Sequence, residues 1–149
     1  MRIRKATKKD FSEYLRLKRE EEVYFAELLD KRFSISDAEY KKEFFTILKS
    51  KKSILLVDEE RGIIVGFLYG TFFKNLYDSG GFIEVIYVEK DHRRKGVATE
   101  LMREFTKIVK KKRLKKIQLS VNVKNVEAFE FYKKIGYELH HYDMKKELK

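Results

Sequence analysis

Apolar residues recur along this chain with two periods, and each period assigns a different kind of element. Ile3-Arg4-Lys5-Ala6-Thr7 is a short strand. It leads into Thr7 and Asp10, either of which can cap an amphipathic helix from about Lys8 to Glu22, with Phe11, Tyr14, Leu15 and Leu17 on its inner face. Ser36-Asp37-Ala38-Glu39 is a capping box, and Tyr40, Phe44, Ile47 and Leu48 continue from it at helical spacing to about Ser50. Ser53 to Asp58 then reads as a buried strand, Glu59 to Gly62 as a turn, and Ile63 to Phe73 as the long return strand of a hairpin. Asn75 to Gly81 is polar and ends in glycine, the pattern of a loop before an apolar strand from Phe82 to Val88.

The second half repeats the alternation of strand and helix. Val97, Leu101, Phe105, Ile108 and Val109 mark one buried face of a helix, and Lys110 to Arg113 end it where positive charge suits the dipole. Ile117, Leu119 and Val121 alternate as a strand. Asn125 caps a short helix carrying Val126, Phe129, Tyr132 and Ile135, Gly136 ends it, and Tyr137 to Leu148 is expected to supply one or two final strands. The order β-α-α-β-β-β-α-β-α-β predicts a mixed α/β fold, with a mostly antiparallel central sheet and helices on its faces.

Composition narrows the class of protein. A chain of 149 residues is expected to form one domain, residues 1–149, and 43% hydrophobic with 14% aromatic residues excludes a disordered chain despite 40% charged residues. No apolar run approaches the ~20 residues that span a bilayer, and the residues from Met1 to Lys5 lack the apolar stretch of a secretory signal, so the expected location is the cytoplasm, with no membrane partner. With no cysteine there is no thiolate ligand or nucleophile, and His92, His140 and His141 do not form a metal set, so no metal is expected. The net charge of +11 points to anionic partners. Lys110 to Arg113 with Lys115 and Lys116 could grip nucleic acid, but no aromatic residues interleave with them, and a solvated helix end is the better reading.

The most informative stretch is Arg93-Arg94-Lys95-Gly96-Val97-Ala98-Thr99, between the strand at Phe82 to Val88 and the helix that follows. A helix start leaves its first N–H groups unpaired and partly positive, Gly96 lets the backbone bend closely, and three cations surround the same point. The arrangement suits a phosphate or pyrophosphate, although a basic turn before a helix is also an ordinary solvated loop.

Two motifs make this chain resemble the GCN5-related N-acetyltransferase family over nearly its whole length. The family's acyl-CoA loop, Gln/Arg-x-x-Gly-x-Gly/Ala, is met by Arg93, Gly96 and Ala98. Its later helix, Asn-x-x-Ala-x-x-x-Tyr-x-x-x-Gly-Phe/Tyr, is met by Asn125, Ala128, Tyr132, Gly136 and Tyr137. The resemblance implies the acyl-CoA N-acyltransferase fold and acetyl-CoA as co-substrate, with its pyrophosphate on Arg93, Arg94, Lys95, Gly96, Val97, Ala98 and Thr99. It further implies that the strand before the loop splays from the next one and binds the pantetheine arm through Ile86, Tyr87 and Val88, with Asn125 as both an N-cap and a contact to the CoA arm.

The same resemblance assigns chemistry. Tyr132 matches the residue that protonates the departing thiolate, and Glu84 matches the glutamate that several small-amine acetyltransferases use as base, acting here through water. Burial of a carboxylate in so apolar a strand would raise its pKa toward a useful value. Two positions depart from the family pattern: Val85 stands where an acid often follows that glutamate, and Ser120 replaces the glutamate of ribosomal-protein N-terminal acetyltransferases, which counts against that subclass. The implied reaction is direct attack of a primary amine on acetyl-CoA in a ternary complex, which needs no covalent enzyme intermediate. Glu20, Glu21, Glu22, Glu27 and Asp30 suggest a polyamine or lysine-like acceptor, whereas the net charge suggests an acidic one. A homodimer is compatible with the reading. The rival reading is a non-catalytic module of the same fold that binds nucleic acid or another anionic partner through its basic surface.

Overall fold

The computed structural model describes residues 1–149. Its strands are β1 (Ile3–Lys5), β2 (Ser53–Glu60), β3 (Ile63–Lys74), β4 (Ser79–Val88) and β5 (Lys116–Leu119), and its helices are α1 (Phe11–Leu29), α2 (Asp37–Lys49), α3 (Val97–Lys111) and α4 (Val126–Lys134). The strands form one sheet in the order β1-β2-β3-β4-β5. All neighbours are antiparallel except β4 and β5, which run parallel because α3 carries the chain from one to the other.

Each face of the sheet is covered by its own layer. Tyr14 and Leu17 of α1 and Phe44 and Ile47 of α2 pack with Leu55, Val57, Phe67 and Tyr87 on one face. On the other, Val97, Leu101, Phe105 and Val109 of α3 pack with Leu56, Leu68 and Ile83, and Phe131 and Tyr132 of α4 lie against the same cluster. Glycines set how closely α3 approaches. A Cβ at Gly70 would stand 2.3 Å from the Phe105 ring, and one at Gly81 would stand 2.6 Å from Val109. The Phe105 ring therefore lies flat on bare backbone, where any side chain would lift the helix.

Three expectations are corrected. Helix α1 continues seven residues beyond Glu22, to Leu29, and ends where Asp30 takes a left-handed conformation and its N–H donates to Ala26 O. Strand β4 starts at Ser79, inside the expected loop, since Gly80 and Gly81 pair with Phe73 and Phe72. The residues from Tyr137 to Leu148 form no strand, and Leu139, Tyr142, Met144 and Leu148 remain exposed. Alternation describes only which face a side chain takes. A strand also needs a partner edge, and this segment pairs with none.

Candidate active site

Strand β4 is longer than its neighbour β5, and the excess opens the cavity. Pairing between β4 and β5 runs only from Gly80 with Lys116 to Ile83 with Leu119, while β4 continues to Val88. Beyond Ile83 the strands part. The Glu89 N–H donates to Val65 O at 2.9 Å, so strand alternation turns the N–H groups of Val88 and Ile86 away from β3 and toward the gap. Tyr87 is turned the other way, with its backbone opposite Phe67 of β3, and contributes its side chain instead. A cavity of about 740 Å³ opens along this gap, a size suited to a small ligand or cofactor. Its walls include Glu84, Ile86, Tyr87, Val88, Asn125 and Tyr132, and every residue from Arg93 to Thr99 except Lys95.

The basic turn forms one end of this cavity. Arg94 and Gly96 both take left-handed backbone conformations, at φ 60° and 87°, and α3 begins immediately after Gly96. None of the N–H groups from Arg94 to Thr99 donates to another group of the protein, while the Glu100 N–H closes the first helical turn on Gly96 O at 3.0 Å. These unpaired donors and the helix dipole make this end of the cavity electropositive and suited to an anion. Arg93 has a different place. Its Nε donates to Val88 O at 3.0 Å, and its guanidinium stacks 4.8 Å from the Tyr24 ring centre and 5.2 Å from that of Tyr87. It holds the end of β4 to α1 and directs its charge there.

Helix α4 brings the later motif to the opposite wall. Asn125 Oδ1 accepts from the Ala128 N–H at 3.3 Å, which is an N-cap, and from the Tyr24 hydroxyl at 3.4 Å. Two turns further on, Tyr132 is half-buried. Desolvation pushes its phenol up to about 12, the nearby Tyr24 adds to the shift, and no hydrogen bond contributes. Its hydroxyl is a free donor in the cavity wall. Tyr24 thus joins α1, Arg93, Asn125 and Tyr132, a role invisible in sequence because it lies in the part of α1 that periodicity misses.

Glu84 is exposed, contrary to the expected burial. Gly70 pairs with Ile83 and Tyr69 with Val85, so Glu84 is the extra residue of a β-bulge. Its Oε1 accepts from Thr71 Oγ1 at 2.9 Å. The bulge also turns Val85 onto the α1 side, where it packs with the Tyr14 and Phe67 cluster.

The five acids offered for a cationic acceptor separate in space. Glu20 accepts from the Tyr87 hydroxyl at 3.0 Å and from the Lys90 N–H at 2.9 Å, tying α1 to the end of β4. Glu22 pairs with Arg19 at 3.0 Å, and Glu27 and Asp30 are exposed. Glu21 alone is buried at the cavity.

The acetyltransferase (GNAT) family profile matches residues 13–137 of this chain. An uncharacterised N-acetyltransferase of Methanocaldococcus jannaschii is 38% identical over 56 residues, a match spanning 38% of this chain and only 25% of that protein. Among solved structures, the aminoglycoside 6'-N-acetyltransferase AAC(6')-IG of Acinetobacter haemolyticus superposes with a TM-score of 0.81 at 22% identity, covering 100% of this chain and 99% of the other. An aminoglycoside N-acetyltransferase in complex with CoA superposes with a TM-score of 0.81 at 17% identity, covering 99% of this chain and 93% of the other. At such identity the structures establish the shared fold, and the profile match over most of the chain, both sequence motifs included in it, establishes that this protein belongs to the acetyltransferase (GNAT) family.

Proposed function

We propose that this protein transfers an acetyl group from acetyl-CoA to a primary amine by direct attack within a ternary complex. The observation that carries the reading is the cavity through the β4 and β5 gap. It joins the unpaired N–H groups of the basic turn to the free Tyr132 hydroxyl and to the α1 face of the sheet. The CoA pyrophosphate takes the N–H groups from Arg94 to Thr99. The pantetheine arm lies along β4, where Ile86 N–H points into the gap, and Asn125 borders the arm. The amine enters from the α1 side. Holding the two substrates on opposite sides of one opening makes the attack effectively unimolecular.

Atoms and charge balance as follows. The uncharged amine adds to the thioester carbonyl, and the oxygen that gains charge is stabilised by donors in the gap. The C–S bond then breaks, the amine proton leaves through water to the Glu84 carboxylate, and Tyr132 donates to the departing thiolate. Glu84 is reached by solvent in this position, which suits a base that works through water. The test is CoA release over a panel of amines for the wild type and Glu84→Gln. Glu84→Gln removes the acidic limb of the kcat/KM profile if Glu84 is the base; an acidic limb that stays in place assigns the base elsewhere. Absence of CoA release with every amine, despite saturable acetyl-CoA binding, refutes the activity.

A further inference from the structure

One carboxylate at the cavity has no role in this chemistry and an incomplete set of partners. Glu21 is only 9% exposed, yet it sits among the cavity walls. Its Oε1 accepts from Lys18 Nζ at 3.0 Å. Its Oε2 is buried with no hydrogen-bond partner. Burial raises the pKa of this carboxyl, and an acceptor oxygen left unpaired in such a place is unfavourable, so a cationic group that supplies the missing donor favours the ionised form and is bound with advantage.

The surroundings define what that donor is. Lys18 is fixed by its bond to Oε1 and by the rings of Tyr40 and Phe67, 5.4 and 5.9 Å from its Nζ, so it does not turn to serve both oxygens. Burial is the main influence raising the Glu21 pKa, Lys18 opposes it through its charge and hydrogen bond, and Glu43, which accepts from the Tyr14 hydroxyl at 3.1 Å, and Glu22 add smaller repulsions. Burial first, and then the charges of Glu84 and Glu43, push the Tyr69 phenol up. Glu22 is neutralised by Arg19, which leaves Glu21, Glu43 and Glu84 as the carboxylates set against Lys18 on this face of the sheet. The chain as a whole carries +11, and the local excess of negative charge at the acceptor side opposes that background. A neutral or anionic group gains little here, whereas an ammonium satisfies Oε2 and reduces the repulsion.

Resting on the acetyltransferase reading, we infer that Glu21 is the anchor for a second ammonium group of the acceptor, which makes the substrate class a diamine or polycationic amine. The first nitrogen lies at the thioester and is acetylated. The second, still protonated, bonds to Glu21 Oε2 and sets the depth at which the acceptor sits. Glu21 touches substrate as a specificity determinant and takes no proton in the reaction.

The experiment compares 1,4-diaminobutane with 1-butylamine, which have the same carbon chain and differ by one ammonium. With acetyl-CoA saturating, the wild type favours the diamine in kcat/KM by on the order of tenfold to a hundredfold, the range for a hydrogen bond to a charged group. Glu21→Gln removes most of that preference, through KM for the diamine and with kcat nearly retained. Since Glu21→Gln leaves the Lys18 ammonium buried without its counter-ion, Lys18→Met/Glu21→Gln is measured beside it as a folded alternative. Glu27→Gln, an exposed acid on the same helix, keeps the preference. Equal kcat/KM for the two amines in the wild type overturns the inference. So does a fall in kcat with both amines and a displaced acidic limb, which would make Glu21 the base. If no amine releases CoA, the acetyltransferase reading fails by itself. Calorimetric titration of the two amines then decides the anchor: tighter diamine binding that is lost in Glu21→Gln supports it, and equal binding overturns it.

Discussion

Replacing Tyr132 by phenylalanine separates chemistry from folding unusually cleanly in this protein. The hydroxyl is a free donor in the cavity wall, with no hydrogen bond contributing to its shift, so its removal leaves no partner unsatisfied and the melting temperature is expected to stay within the scatter of a neutral substitution. Its effect on the reaction follows from its acidity. Burial pushes the phenol up to about 12, against roughly 8.5 for an ordinary thiol. Complete proton transfer to the thiolate is therefore uphill by ~3.5 pKa units, or about 5 kcal/mol. In the proposed reaction Tyr132 would consequently act by hydrogen bonding to the thiolate as charge develops, with the proton reaching sulfur fully only in exchange with solvent. A hydrogen bond to a charged group contributes about 1.5–3 kcal/mol, which corresponds to roughly a ten- to hundredfold fall in kcat for Tyr132→Phe. Acetyl-CoA affinity should hardly change, because the interaction belongs to the leaving group. Steady-state CoA release, a binding titration and a thermal melt measure the three quantities. A kcat within about twofold of wild type would refute the role, and a large loss of affinity or stability would show that the hydroxyl is structural.

Further expectations concern the scaffold. Gly70→Ala places a methyl group 2.3 Å from the Phe105 ring and should destabilise by about 1–3 kcal/mol, read by denaturant titration; an unchanged midpoint would mean α3 shifts freely. Asn125→Ala removes the α4 cap and its contact with Tyr24, and should cost about 0.5–2 kcal/mol. As no α4 residue is fully buried, much of that loss should appear as local amide exchange in α4 together with weaker CoA binding. Tyr132 and Tyr137 are both pushed up to about 12 by burial, so above pH ~10 the unfolded chain loses these protons before the folded one. Stability falls as pH rises through that window. At the acid end, a hydrogen bond from Arg4 is the main factor holding the Asp10 carboxyl below its ordinary value, so its contribution is present above that value and is lost as pH falls through the folded one. Melting temperature against pH, with Asp10→Asn for the acid limb and Tyr137→Phe for the alkaline one, checks both signs.

Much of this was legible in residue order, and the parts that were not share a cause. The turn from Arg93 to Gly96 and the helix starts at Ser36 and Asn125 read correctly because caps, glycine conformations and dipoles act over three or four residues. The end of α1 did not, because Tyr24, Phe25, Leu28 and Leu29 are only half-buried and the left-handed closing residue is Asp30 rather than glycine; nor did the burial of Lys18 and Glu21, since a buried ion pair carries the same letters as a solvated one. The one or two strands expected from Tyr137 to Leu148 had the right alternation and no partner. Arg93 has the charge expected of it, but Val88 O, Tyr24 and Tyr87 determine where that charge points.

The basic turn, the Asn125 to Tyr137 motif and the two layers around a mixed sheet are therefore properties of the sequence itself, since each depends on periodicity and short-range bonds. The gap beyond Ile83, expected only through the family resemblance, and the bulge that exposes Glu84 and the unpaired oxygen of Glu21, expected not at all, were decided by the tertiary structure. They depend on where β5 stops pairing and which side chains cover α1, and those are contacts between residues distant in the chain, which no local pattern encodes.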